Sequence, residues 1–210
     1  MSRLKDGAAT LSIVDDGIVL RDFEPRDQER VRRLILDGLG EHWGNIDESL
    51  NTDVDDIAAT YAGGRTLVAE LHDELIGTGT IVRRDEDVSE IVRMSVAPSA
   101  RRSGVGRRLV EELVGTAGTW SSRRVVLETS SSWTEVIAFY IACGFAVTAE
   151  RDGEFGSDTW FEMQVRPDPW FADRRLTVVA PFRDGARVSR VVVHRRAGGV
   201  TSRRGRGAPH

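Results

Sequence analysis

The chain has 210 residues, of which 40% are apolar and 30% charged, with a formal net charge of −4. That length supports one full hydrophobic core with residues left over, and the balance is ordinary for a soluble globular protein. No run of 18 apolar residues is present to span a membrane, Met1 to Gly17 lacks the basic-then-apolar pattern of a secretory signal, and a lone Cys143 excludes both an intramolecular disulfide and a four-cysteine zinc site, so a cytoplasmic location is expected.

The charge is uneven. Residues 166–210 hold 11 Arg and 3 Asp, a net of +8, which leaves −12 on the other 165 residues. An arginine-rich tail is the kind of segment that binds polyanions without sequence preference. The acidic body argues against nucleic acid as the main partner. It either attracts a cationic amine or is simply a solvated acidic surface.

In chain order, residues 1–16 read as a loose leader. Gly17 to Phe23 reads as a strand stopped by Pro25. Val31, Leu34, Ile35 and Leu39 recur at helical spacing over Asp27 to Leu39, with Gly40 as the stop. Glu41 to Thr52 is irregular and polar. Asp53 is placed to cap a second helix carrying Val54, Ile57, Ala58 and Tyr61 on one face. Arg65 to Leu71 and Leu75 to Val82 form a hairpin about His72-Asp73-Glu74, and Val88 to Val96 is a third strand closed by Pro98. Gly106 to Gly118 is the clearest helix, with Leu109, Val110, Leu113, Val114 and Ala117 in one stripe. Arg124 to Thr129 is a nearly all-apolar strand. Ser132 and Glu135 form a capping box for a helix that ends at Gly144. Phe145 to Glu150 and Thr159 to Val165 are the last strands, joined by the turn-rich Arg151 to Ser157. Beyond them, Leu176 to Ala180 and Arg187 to His194 can pair as a hairpin ahead of a Gly/Arg/Ser-rich end. The order over residues 17–166 is β-α-α-β-β-β-α-β-α-β-β, a mixed α/β domain, followed by the extension 167–210.

The chemistry concentrates where the third strand of the hairpin run meets the central helix: Val96-Ala97-Pro98-Ser99-Ala100-Arg101-Arg102-Ser103-Gly104-Val105-Gly106-Arg107. A helix start exposes unpaired N–H groups and a partial positive charge. Gly104 and Gly106 let an anion approach the backbone, and Arg101, Arg102, Arg107 and Arg108 surround it with positive charge, which makes the segment a pyrophosphate site. A dinucleotide fold needs a third glycine where Leu109 stands. A P-loop needs a lysine, and the only one is Lys5.

Arg101-x-x-Gly104-x-Gly106 on a strand–loop–helix resembles the Gln/Arg-x-x-Gly-x-Gly/Ala motif of the GNAT superfamily of N-acetyltransferases. Phe139-Tyr140 followed by Cys143-Gly144-Phe145 resembles that family's Phe-Tyr-x-x-x-Gly-Phe. The resemblance spans residues 17–166. It implies an α+β fold with a mixed, mostly antiparallel twisted sheet, helices on both faces, and acetyl-CoA as the cofactor. The cofactor would be held by Met94, Ser95 and Val96 on the strand, by Arg101, Arg102, Ser103, Gly104, Val105, Gly106 and Arg107 at the turn, and by Phe139. It also implies that Tyr140 protonates the departing thiolate, that a strand bulge exposes the Val96 amide to the thioester carbonyl, and that Glu90, eleven residues before Arg101, is the base. The residues alone leave Tyr140 open to a core reading, since it shares a helical face with Val136 and Cys143, and leave Glu90 open to an ion pair with Arg93. Many family members carry Asn seven residues before this tyrosine. Here the position is Trp133, whose indole donates one hydrogen bond and accepts none.

Acyl transfer to an amine needs a neutral nitrogen, a polarised carbonyl and a leaving thiolate. Glu128, a carboxylate in an apolar strand, is the second candidate base, and His42 in the irregular loop the third. The acceptor pocket is expected between Glu41 to Thr52 and the turn before Thr159. The four histidines lack metal-ligand spacing. The expected activity is acetyl transfer to a primary amine of a small molecule or peptide by direct attack in a ternary complex, the alternative being a non-catalytic CoA-binding regulatory module. The oligomeric state, a homodimer included, stays open.

Overall fold

The computed structural model describes residues 13–15, 17–44, 46–153 and 156–165. The elements are β1 (Ile13–Asp15), β2 (Ile18–Asp22), α1 (Gln28–Trp43), α2 (Ile57–Thr60), β3 (Arg65–Leu71), β4 (Glu74–Arg83), β5 (Val88–Val96), α3 (Val105–Thr119), β6 (Arg124–Ser130), α4 (Thr134–Ala142), β7 (Ala146–Gly153) and β8 (Gly156–Gln164), with short 3-10 turns at Pro25–Asp27, Glu48–Val54 and Pro98–Ala100. They build one eight-stranded sheet in the order β1-β2-β3-β4-β5-β6-β8-β7. Every neighbouring pair is antiparallel except β5 and β6.

The period-2 alternation of the strands sorts two cores. Leu67, Ala69, Ile81, Ile91, Val125, Leu127 and Phe161 lie with Val105, Leu109 and Leu113 of α3 and Tyr140 of α4. Val68 faces the other way, with Val31, Ile35 and Leu36 of α1 and Val54 and Ile57. Helices therefore cover both faces, as expected. The β3–β4 connection is a two-residue turn with His72 at φ 50° and Asp73 at φ 66°, the twist that matches paired strands.

Several boundaries differ from expectation. The leader is not loose throughout, because Ile13–Asp15 pairs with Ile18–Leu20 as an edge strand. Gly40 does not stop α1, which continues to Trp43 and ends at Gly44 (φ 75°). Its last turn is held by ring contacts of His42 and Trp43 with Trp133, which offset the roughly 1 kcal/mol that a helical glycine costs. Asp56, not Asp53, caps α2 by accepting from the Ala59 amide, because Asp53 is engaged by Arg93 and Tyr61. The capping box at Ser132 is absent: α4 starts after Trp133 without a side-chain cap, and the Ser132 hydroxyl pairs with that of Ser130 at 3.0 Å. The Arg151 to Ser157 turn is mostly strand, since β7 and β8 stay paired out to Gly153 and Gly156. The hairpin and basic end expected after residue 166 lie outside the described residues.

Candidate active site

β5 and β6 register only over Val88–Glu90 and Arg124–Val126. Beyond that the two strands part. The cause is visible in β5. Arg93 has φ 53°, an unfavourable backbone conformation for a side chain of this kind, and the β4–β5 register slips between Thr78 and Thr80 opposite it. The strain is offset by its guanidinium, which donates to Asp53 at 2.7 Å and to Asn51 at 3.0 Å. Burial raises the Asp53 carboxyl, but Arg93 and Tyr61 outweigh it and hold Asp53 below its ordinary value. Burial and Asp53 in turn push Tyr61 up to about 12.

After the bulge, the Ala97 amide donates to Ile76 of β4 at 2.9 Å. Amides alternate along a strand, so that of Val96 points away from β4, into the gap. The resemblance implied a strand bulge here, and the slipped β4–β5 register is such an irregularity.

The loop leads into α3 with its amides uncovered. The first intrahelical bond is from the Arg108 amide to the Gly104 carbonyl, 3.1 Å, so those of Val105, Gly106 and Arg107 precede the ladder, and no side chain caps them. Arg101, Arg102, Ser103 and Gly104 are all exposed. Gly104 is left-handed at φ 91°, and a Cβ there would meet nothing within 4 Å. Gly106 has a different reason to be glycine: a Cβ would lie 3.2 Å from the Phe139 ring, so it serves the contact between α3 and α4. These features fit a diphosphate.

The expected cofactor side chains divide. Val96 lies beside Gly106, and Ser103 Oγ donates to the Ala100 carbonyl at 2.6 Å. Met94 packs over Gly79, and Ser95 Oγ donates to the Leu34 carbonyl of α1 at 2.9 Å, so these two position the strand. Arg107 donates to the Ala142 carbonyl at 2.8 Å, at the C-terminal end of α4. Arg101 donates to the Val96 carbonyl at 3.2 Å and pairs with Glu41 of α1. Glu41 is a charge partner that the sequence reading did not identify. An open cavity of about 620 Å³ lies between α1, the β3–β4 turn and this loop, with Asp37, Glu41, Ser95 and Arg101 among its lining residues.

Tyr140 is buried, its ring 5.8 Å from Phe145, 5.7 Å from Phe161 and 5.1 Å from Phe139. Burial, then the adjacent Cys143, hold its hydroxyl well above the ordinary phenol range, so it is protonated at any working pH. Glu90 is buried and paired with Arg84, not with the Arg93 considered from sequence. Glu128 lies two residues beyond Val126, the partner of Glu90, and so on the same face of the sheet. His42 stacks on Trp133 with centroids 4.1 Å apart, and Trp43 tilts against it at 5.6 Å. Position 133 thus joins the end of α1 to the start of α4.

Residues 29–145 match the model of the acetyltransferase (GNAT) family. The chain belongs to the GNAT acetyltransferase family. That family uses acetyl-CoA. Rat N-acetyltransferase 8B is 28% identical over 136 residues, a match covering 60% of each chain, so this chain spans about three-fifths of the length of that relative. A GNAT-family acetyltransferase from Staphylococcus aureus superposes with a TM-score of 0.64 at 20% identity, over 71% of this chain and 99% of its own. A GNAT-family acetyltransferase from Elizabethkingia anophelis with acetyl-CoA bound gives 0.56 at 19%, over the same shares. Among the described residues no helix is long and apolar enough to cross a membrane.

Proposed function

We propose that this GNAT acetyltransferase moves the acetyl group of acetyl-CoA to a primary amine of a small molecule or peptide, by direct attack while both are bound. The observation that carries the reading is the parting of β5 from β6 directly beside the uncapped start of α3. In this reading the diphosphate rests at the end of that gap beside α3, and the thioester arm enters between the two strands.

The residues take distinct parts. The amides of Val105, Gly106 and Arg107, with Arg101 and Arg102, hold the diphosphate. The Val96 amide donates to the thioester oxygen, where negative charge develops during attack. Tyr140 supplies a proton to the leaving sulfur from the α4 side, its hydroxyl carrying that proton at neutral pH. The amine loses its proton toward the carboxylates on the opposite face, where Glu90 and Glu128 stand. Trp133 takes the place of the usual asparagine contact and contributes an aromatic wall with His42.

The test is thiol release from acetyl-CoA against polyamines, aminoglycosides and peptide N-termini. Amine-dependent release is expected. Binding of coenzyme A without release across the panel would instead favour a regulatory module. Gly104→Glu is expected to abolish coenzyme A binding in calorimetry by placing bulk and negative charge among the loop amides. Retained affinity would put the diphosphate elsewhere.

A further inference from the structure

Two carboxylates share the face of the sheet that looks toward α1. Ile91 beside Glu90, and Leu127 beside Glu128, both point into the α3–α4 core, so Glu90 and Glu128 point the other way. Their surroundings differ. Glu90 sits on the last registered pair and receives the guanidinium of the largely exposed Arg84, which neutralises its buried carboxylate. Glu128 lies on the part of β6 that has left β5, is accessible to solvent, and makes no ion pair or hydrogen bond through its side chain among the described residues. Tyr140 belongs to the core on the opposite face. A thioester threaded through the gap would therefore have Tyr140 on one side and Glu128 on the other.

We infer that Glu128 is the catalytic base that deprotonates the acceptor, and that Glu90 is a positioning residue acting through Arg84 and through its charge. This rests on the acetyl-transfer reading above. The acceptor enters as an ammonium ion, and one N–H proton passes to the Glu128 carboxylate. The freed lone pair forms the C–N bond to the acetyl carbon, the C–S bond breaks with its electrons on sulfur, and the Tyr140 hydroxyl protonates that sulfur. The second nitrogen proton restores Tyr140, and Glu128 releases its own proton to solvent.

The groups facing Glu128 come from every neighbouring strand: Asp158 of β8, Glu90 of β5, Arg84 from the β4–β5 turn and Arg151 of β7. Crowding by these strands comes first, then the charges of Asp158 and Glu90, and together they outweigh the two arginines and raise the Glu128 carboxyl above its ordinary range. A raised carboxylate is a better proton acceptor near neutrality.

The experiment compares pH profiles of kcat/KM for the full chain, its Glu128→Gln and Glu90→Gln variants, and Glu128→Asp, using the best amine of the panel. Glu128→Gln is expected to lower kcat/KM by roughly 10²- to 10⁴-fold at neutral pH. It should leave the calorimetric affinity for coenzyme A unchanged and recover rate at alkaline pH, where the amine is already neutral. Glu128→Asp should restore part of the loss, and Glu90→Gln should keep the shape of the profile while shifting its acid limb. Carboxyl-carbon NMR of the full chain, assigned by the resonance lost in Glu128→Gln, reads the Glu128 titration without turnover and should place it above that of a free glutamate. A Glu128→Gln profile that matches the unmodified protein, or a larger loss in Glu90→Gln, overturns the assignment while leaving acetyl transfer intact. An unmodified protein that binds coenzyme A and acetylates no amine overturns the acetyl-transfer reading as well.

Discussion

Changing Tyr140 to Phe removes one oxygen and leaves the ring seated among Phe139, Phe145 and Phe161. Stability should therefore change little while turnover falls by roughly 10²-fold and coenzyme A still binds, as read by thiol release beside calorimetry. Unchanged turnover would return Tyr140 to the core reading that its neighbours Val136 and Cys143 also support. A second single-residue outcome concerns Glu41. Its carboxylate pairs with Arg101, whose charge a diphosphate would also seek. Glu41→Gln should free that guanidinium and tighten coenzyme A by a few-fold, an interaction of about 1 kcal/mol for an exposed pair. Weaker binding would mean that Glu41 holds Arg101 in the receiving position. Neither Glu41 nor the Arg84 partner of Glu90 was legible in the sequence, because ion pairs across elements depend on which strands become neighbours. The motif residues were legible because their reason is local: a loop, an open amide run and a helix start.

Among the elements, α3 sits so close to β4 that a Cβ on Gly77 would lie 2.8 Å from the Val105 side chain and 3.1 Å from Leu109. Gly77→Ala should cost about 1–3 kcal/mol through overpacking. Because Val105 belongs to the first turn of α3, the same change should weaken coenzyme A binding. A chemical-denaturation midpoint and a calorimetric titration on one sample check both effects, and a loss of stability without a loss of affinity would uncouple the loop from the helix bed. The strong strands were predicted well. Arg65–Leu71 and Val88–Val96 were read residue for residue, because alternation and turn residues bracket them. The ends of helices were read poorly. Gly40, Asp53 and Ser132 each carry a local stop or cap signal that a distant partner overrides: Trp133 for the end of α1, Arg93 for Asp53 and Ser130 for Ser132. The parting of β5 from β6 has no local pattern, since a positive φ at an arginine is set by the ion pair it reaches.

For the molecule as a whole, one buried ion-pair network joins β2, α1 and β3. Arg21 donates to Asp27 at 2.6 Å and to Glu70 at 2.6 Å, and Arg30 adds a bond to Asp27 at 2.7 Å. Burial would raise the Asp27 carboxyl, but Arg21, the Glu24 amide and Arg30 bring it down to about 2. A carboxyl whose folded value lies below its unfolded value stabilises the fold above the unfolded value, and that contribution is lost as pH falls toward the folded one. The stability maintained by Asp27, about 2 kcal/mol, should therefore be present above about pH 4 and disappear between about pH 4 and pH 2. Urea midpoints across that range check it, and Asp27→Asn should flatten the curve. An equal slope in the variant would assign the acid sensitivity to other carboxylates.

The seam between β5 and β6 has a consequence for how turnover depends on integrity. Within the sheet, three residue pairs, the Ser89–Ser122 hydroxyl contact at 2.7 Å and the Arg123 and Arg124 amides on the Asp87 carbonyl stitch the half that carries the loop to the half that feeds α4 and Glu128. The groups assigned to grip the donor therefore belong to one half and those assigned to move protons to the other. Because that ladder is the shortest among β2 to β8, their alignment also relies on the single core that α3 and α4 share with both halves, and a cavity opened there would misalign the chemistry without touching a reacting group.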